Sequence, residues 1–173
     1  FVELARTDRN TIAVSVLKTQ NLRFDGSRYS SDGGGALVGC YHIQVPGSFH
    51  SYEEAAQAAA GYEDGFVAWI DGAYQVRTGA YANKEAAQAA VPGGTVVGTS
   101  SYGMSVVKTG TNRILFQYDE GASGKLGIQP DVTGAEETRT WFDGFKYRGG
   151  FQYHRRDGGN LTVVNVVELE DYI

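Results

Sequence analysis

Two stretches of this chain repeat one another. Tyr41-His-Ile-Gln-Val-Pro-Gly-Ser-Phe49 leads through a short spacer into Glu54-Ala-Ala-Gln-Ala-Ala59. Tyr74-Gln-Val-Arg-Thr-Gly-Ala-Tyr81 leads into Glu85-Ala-Ala-Gln-Ala-Ala90, about 32 residues on. Each copy reads as an alternating strand, a Gly turn, an aromatic, a capping residue and an alanine-rich helix. With one strand between the copies and one after, residues 41–107 are expected to form a β-α-β-β-α-β two-layer unit. Two copies are too few for a solenoid.

The flanks read differently. Residues 11–17 alternate as a strand, with Leu22 to Phe24 expected to pair with it. Asp25 to Gly39, centred on Gly33-Gly34-Gly35, reads as loop or linker. After the duplication come short strands at Ser105–Lys108, Arg113–Tyr118, Lys125–Ile128, Thr138–Phe142, Phe145–Arg155 and Asn160–Leu169. Turn signals separate them, and Asp143-Gly144 is the strongest hairpin cue. The expectation is therefore an α+β fold. A two-layer unit over 41–107 is inserted in, or flanked by, an all-β region made of 1–40 and 108–173.

Composition narrows the function. The 24 glycines, 3 prolines and 11 tyrosines suit strands and turns. A net charge of −5 argues against nucleic acid and against anionic membrane surfaces. A basic aromatic strand of the kind RNA readers use is also missing from Tyr74-Gln-Val-Arg-Thr. No apolar run approaches the length of a membrane span. Phe1 opens the sequence without an initiator Met or signal segment, as a processed secretory protein or a trimmed chain would. The single cysteine, Cys40, excludes an internal disulfide and reads as a buried, inert thiol.

The residues also suggest a surface. Phe66-Val-Ala-Trp-Ile70, Asp71-Gly72 and Ala73 to Thr78 read as a two-residue hairpin, with Val67 and Trp69 opposite Val76 and Tyr74. Phe66, Ala68 and Ile70 then share the other face with Gln75 and Arg77. If the repeat strands are neighbours, Gln44 and Arg77 project from adjacent strands. Ser51 with Glu54 forms a capping box, and Asn83 caps the second helix. With both helices on one face, the opposite face is expected to be open. Amide and guanidinium donors beside apolar side chains suit a sugar polymer. The alternative is an ordinary solvated sheet face.

The paired segments Ile43-Gln-Val-Pro-Gly-Ser-Phe49 with Glu54-Ala-Ala and Tyr74-Gln-Val-Arg-Thr-Gly-Ala-Tyr81 with Glu85-Ala-Ala resemble the SPOR domain, a module that binds peptidoglycan strands stripped of their stem peptides. The resemblance implies glycan contacts at Gln44 and Ser48, with Pro46 an extra residue in the motif. Gln75, Arg77 and Phe66 complete the candidate surface, and Tyr102 is a further candidate for stacking on a sugar ring.

Tyr147-Arg-Gly-Gly-Phe151, Asn160-Leu-Thr-Val-Val-Asn165 and Leu169-Glu-Asp-Tyr-Ile173 resemble the SpoIID/LytB domain. That family includes sporulation-linked lytic transglycosylases of denuded glycan and enhancers of cell-wall amidases. The resemblance implies an extracytoplasmic place, exported or anchored, with peptidoglycan glycan strands and a cell-wall amidase as partners. It implies a catalytic Glu just after Ile173, so no residue of 1–173, Glu168 and Glu170 included, is assigned catalysis. Whether the whole protein is an enzyme stays open.

Other groups carry less. His42, His50 and His154 lack metal-ligand spacing, so neither a metal nor a cofactor is expected. Asp119-Glu120 and Glu136-Glu137 read as solvated acidic pairs rather than calcium ligands. His154-Arg155-Arg156 reads as a solvated basic tip.

Overall fold

A computed structural model describes residues 2–7, 13–130 and 139–167. The first strand is β1 (Val14–Lys18), followed by the two-residue strands β2 (Arg23–Phe24), β3 (Tyr29–Ser30) and β4 (Ala36–Leu37). The duplicated stretch forms β5 (Tyr41–Phe49), α1 (Tyr52–Ala59), β6 (Phe66–Ile70), β7 (Ala73–Tyr81), α2 (Lys84–Ala90) and β8 (Thr95–Val97). Then come β9 (Met104–Lys108), β10 (Ile114–Asp119), β11 (Leu126–Ile128), β12 (Arg139–Phe142), β13 (Phe145–Arg148), β14 (Gly150–Arg155) and β15 (Leu161–Val166).

The expected α+β two-layer unit is overturned. Strands take up 46% of the described residues and helical turns 14%, with only two α-helices and several sheets. The strands of 41–107 do not close on themselves. They are part of a seven-stranded sheet ordered β1-β9-β10-β6-β7-β5-β8. Strand β10, from beyond the duplication, lies parallel to β6, and β9 and β1 extend the sheet antiparallel from there. A strand edge left bare by the local hairpin is thus filled from a distant part of the chain, as the unpaired backbone groups of an edge require.

The hairpin register is the expected one. Asp71 and Gly72 take φ values of 49° and 78°, matching a two-residue primed turn, and Val67 faces Val76 while Trp69 faces Tyr74. Strand β5 lies beside β7 with Gln44 opposite Arg77.

Each face of the large sheet carries a core. On one, Val45, Val67, Val76, Val106 and Phe116 pack with Ala55 and Ala59 of α1 and with Leu126 of β11. On the other, Phe66, Val107 and Ile114 pack with Leu22 and Val38, and Leu17 and Tyr29 lie against them. The neighbours Phe66 and Val67, or Val106 and Val107, fall on opposite faces because side chains alternate along a strand.

The flanks depart from expectation in two further places. Residues 25–39, expected as linker, contain β3 and β4, and β2 pairs with those two strands rather than with β1. The small sheet β3-β2-β4 brings Leu22 and Val38 onto the large one. The expected strand Phe145–Arg155 is interrupted at Gly149, whose φ of +71° is a left-handed turn conformation. The stretch before the break pairs as β12–β13, and the stretch after it joins β11-β14-β15. Thr11, Ile12, Glu136-Glu137, Thr138, Glu168 and Leu169-Glu-Asp-Tyr-Ile173 lie outside the described residues.

Candidate functional site

The sheet face expected to be open is covered, and beneath the cover lies a buried polar network. His42, Arg77, Ser105 and Gln117 are each at most 2% exposed. Strand pairing sets Gln117 opposite Ser105, and places both on the face of Phe66 and Arg77. Arg77 Nη1 donates to Gln117 Oε1 at 2.5 Å and to the Gly98 carbonyl at 2.9 Å. Its Nε and Nη2 donate to Gln75 Oε1 at 3.2 and 2.8 Å. The Gln117 amide reaches Ser105 Oγ and His42 Nε2, each at 3.3 Å.

The Gly79 carbonyl, 2.6 Å from His42 Nδ1, can only accept. His42 therefore carries its proton on Nδ1 and accepts from Gln117 through Nε2. Burial holds its pKa down at about 4; the Gly79 hydrogen bond opposes that shift and the nearby Arg77 charge adds to it. Burial also lowers Arg77 to about 10, with Asp119 pulling the other way, so the guanidinium remains a cation at neutral pH. A buried charge is costly unless its donors are occupied, and here neutral acceptors occupy them.

This geometry corrects the candidate surface. Arg77 and Phe66 are 2% and 4% exposed, so neither offers a donor or a ring to a polymer. Phe66 stands edge-on to the His42 ring, centroids 4.9 Å apart, and is covered by Leu22 and Val38. Gln75 is half-buried, with its carbonyl oxygen held by Arg77. Gln44 is half-buried too, opposite Arg77 on one side and Thr95 on the other. Ser48 is exposed, but lies where the β5–β7 register shifts between Val45 and Phe49. The five residues therefore do not make one open platform.

Surface aromatics occur elsewhere. On the β12–β13 hairpin Trp141 and Phe145 are 65% and 66% exposed, and Lys146 Nζ sits 4.9 Å from the Trp141 ring centroid. On the same hairpin Phe142 stacks on Phe151 at 4.7 Å. The Asp143-Gly144 signal gave the turn, but alternation alone did not separate the packed ring from the exposed ones. Arg155, expected on a solvated tip, turns inward and donates to the carbonyls of Gly103, Gly158 and Gly159 at 2.7–2.8 Å.

The sequence alone suggests a solvated acid at Asp119. Instead it is 4% exposed and accepts from the Ser100 amide and hydroxyl and from the Gly121 amide. Cys40 is half-buried, and burial raises its thiol pKa. Among the described residues, no group of three or more His, Cys, Asp or Glu side chains is placed to hold a metal ion. No helix among them is long and apolar enough to cross a membrane. No protein-family model, curated protein or solved structure matches the chain.

Proposed function

We propose that this chain is the glycan-associated, non-catalytic part of a SpoIID/LytB-type wall-processing protein. It acts outside the cytoplasm on peptidoglycan strands stripped of their stem peptides. The observation that carries this reading is how the two described parts of the C-terminal signature meet. Asn165 Nδ2 donates to the carbonyls of Arg148 and Gly150 at 3.0 and 2.9 Å, spanning the turn at Gly149. A Cβ on Gly149 would lie 2.0 Å from the Val166 carbonyl oxygen, and one on Gly150 would lie 2.6 Å from that of Ile128. The Tyr-Arg-Gly-Gly and Val-Val-Asn segments thus depend on each other sterically and through hydrogen bonds.

The aromatic hairpin adjoins this clamp, and its exposed Trp141 has the flat apolar face on which sugar rings stack. The test is co-sedimentation with purified wall sacculi, either intact or stripped of stem peptides. Preference for the stripped form is expected. Failure to sediment, or equal recovery with both, would count against the reading.

A second reading is favoured by the covered sheet face. With Phe66 and Arg77 enclosed, the chain serves instead as a scaffold that docks a wall amidase and has no glycan affinity of its own. Amidase binding by a chain that ignores both sacculus preparations would select it.

A further inference from the structure

A cleft of about 350 Å³ opens beside β5 and β7, between the α1–β6 loop and the end of α2. Ile43, Val45, Pro46 and Val91 give it apolar walls, and Tyr62, Tyr81 and Asp64 also line it. Three observations define its chemistry.

The first is that the aromatic wall is fixed. Gly79 has φ +75°, and a Cβ there would come within 2.5 Å of the Tyr81 ring, so that ring lies directly over the glycine backbone. Tyr62, across the cleft on its loop, is 43% exposed. The second is that Asp64 is held in place. Its Oδ1 accepts from Thr78 Oγ1 at 2.5 Å and its Oδ2 from the Gly79 amide at 3.0 Å. Each oxygen keeps a further lone pair for a ligand.

The third observation is charge. No Lys or Arg lines the cleft, and among the described residues none forms an ion pair with Asp64. An anionic ligand would be repelled, whereas a cation would meet a fixed carboxylate and two electron-rich rings. The apolar walls suit an aliphatic stem behind that cation.

We propose that this cleft binds an organic cation carried on an aliphatic stem, a lysine-like primary ammonium being the simplest case. Asp64 takes the charged head, Tyr62 and Tyr81 flank it, and Ile43, Val45 and Val91 receive the stem. The site is separate from the clamp and hairpin that support the wall reading, and it does not depend on that reading.

The test follows backbone amide shifts of the full 173-residue chain during titration with Nα-acetyl-lysine amide. The Nα,Nε-diacetyl form, with the same stem and no charge, is the neutral comparison. Saturable shifts centred on Asp64, Thr78 and Gly79 are expected. Asp64→Asn should weaken binding by about tenfold, and Tyr62→Ala by about threefold. Tyr62 is exposed on a loop, so its variant keeps the proposal testable if Asp64→Asn disturbs folding. Three outcomes overturn it: equal affinity for the neutral form, shifts spread over the acidic surface and indifferent to both variants, or saturation by a neutral N-acetylglucosamine trimer with none by the ammonium. Binding to sacculi stripped of their stem peptides, which lack such an ammonium, should be unchanged in Tyr62→Ala, which separates a failure here from a failure of the wall reading.

Discussion

His42 keeps its tautomer through two hydrogen bonds, one donated and one accepted, that only a neutral ring can make together. Unfolded, the imidazole ionises near 6.5; folded, burial lowers this to about 4. Between those values the unfolded chain binds more protons, so stability rises with pH across that window. The contribution is complete above the unfolded value and lost as pH falls through the folded one, amounting to about 3 kcal/mol at most. Urea midpoints measured from pH 4.5 to 7.5 should climb, and in His42→Gln they should climb less. Equal slopes in the two proteins would show that His42 is not the titrating group. The duplication made the pairing of Gln44 with Arg77 legible, by suggesting that the two repeat strands are neighbours, and the hairpin register put Arg77 on the face of Phe66. It did not reveal the burial of Arg77. Its side chain is enclosed with Gly98 and Gln117, which are distant in sequence and carry no periodic signal pointing at Arg77.

At the scale of elements, α1 shows how local and tertiary terms divide the work. A helix of eight residues has little stability alone. Ser51 Oγ accepts from the Glu54 amide at 3.2 Å, while the Glu54 carboxylate reaches back to the His50 amide at 2.8 Å. This is the expected capping box with its return bond displaced one residue toward the N-terminus. Ala55 and Ala59, fully or nearly buried, fasten the helix to the sheet. Ser51→Ala should therefore cost about 1 kcal/mol, read as a lower urea midpoint with an unchanged denaturant slope. A loss well under half of that would mean packing alone sets the helix start. The caps and the Asp71-Gly72 turn were legible because their chemistry is local. The break at Gly149 was not, since alternation continues through it and only the φ of one glycine divides β13 from β14.

For the whole molecule, the deciding feature is that the duplicated stretch is not self-sufficient. Cut free as residues 41–107, it would lose β10 from the edge of β6, and Leu22, Val38 and Ile114 from the face of Phe66. Removing that cover re-exposes a full aromatic side chain, a loss of about 2–3 kcal/mol, and leaves part of the Arg77 network without acceptors. The excised segment should give a collapsed amide spectrum and no cooperative melt, whereas the full chain gives both dispersion and a single transition. A well-dispersed, cooperatively melting fragment would restore the independent unit that the duplication suggested. The parallel β6–β10 pair also bears on how the molecule is assembled. A hairpin can zip as soon as its turn is made, but β6 must wait for β7, α2, β8 and β9 before its other neighbour exists. Until Asp119 has been synthesised, the middle of the sheet is a raw edge. That interval is when the chain is most open to mispairing with another copy, and slowing elongation just before β10 should lower the yield of native protein.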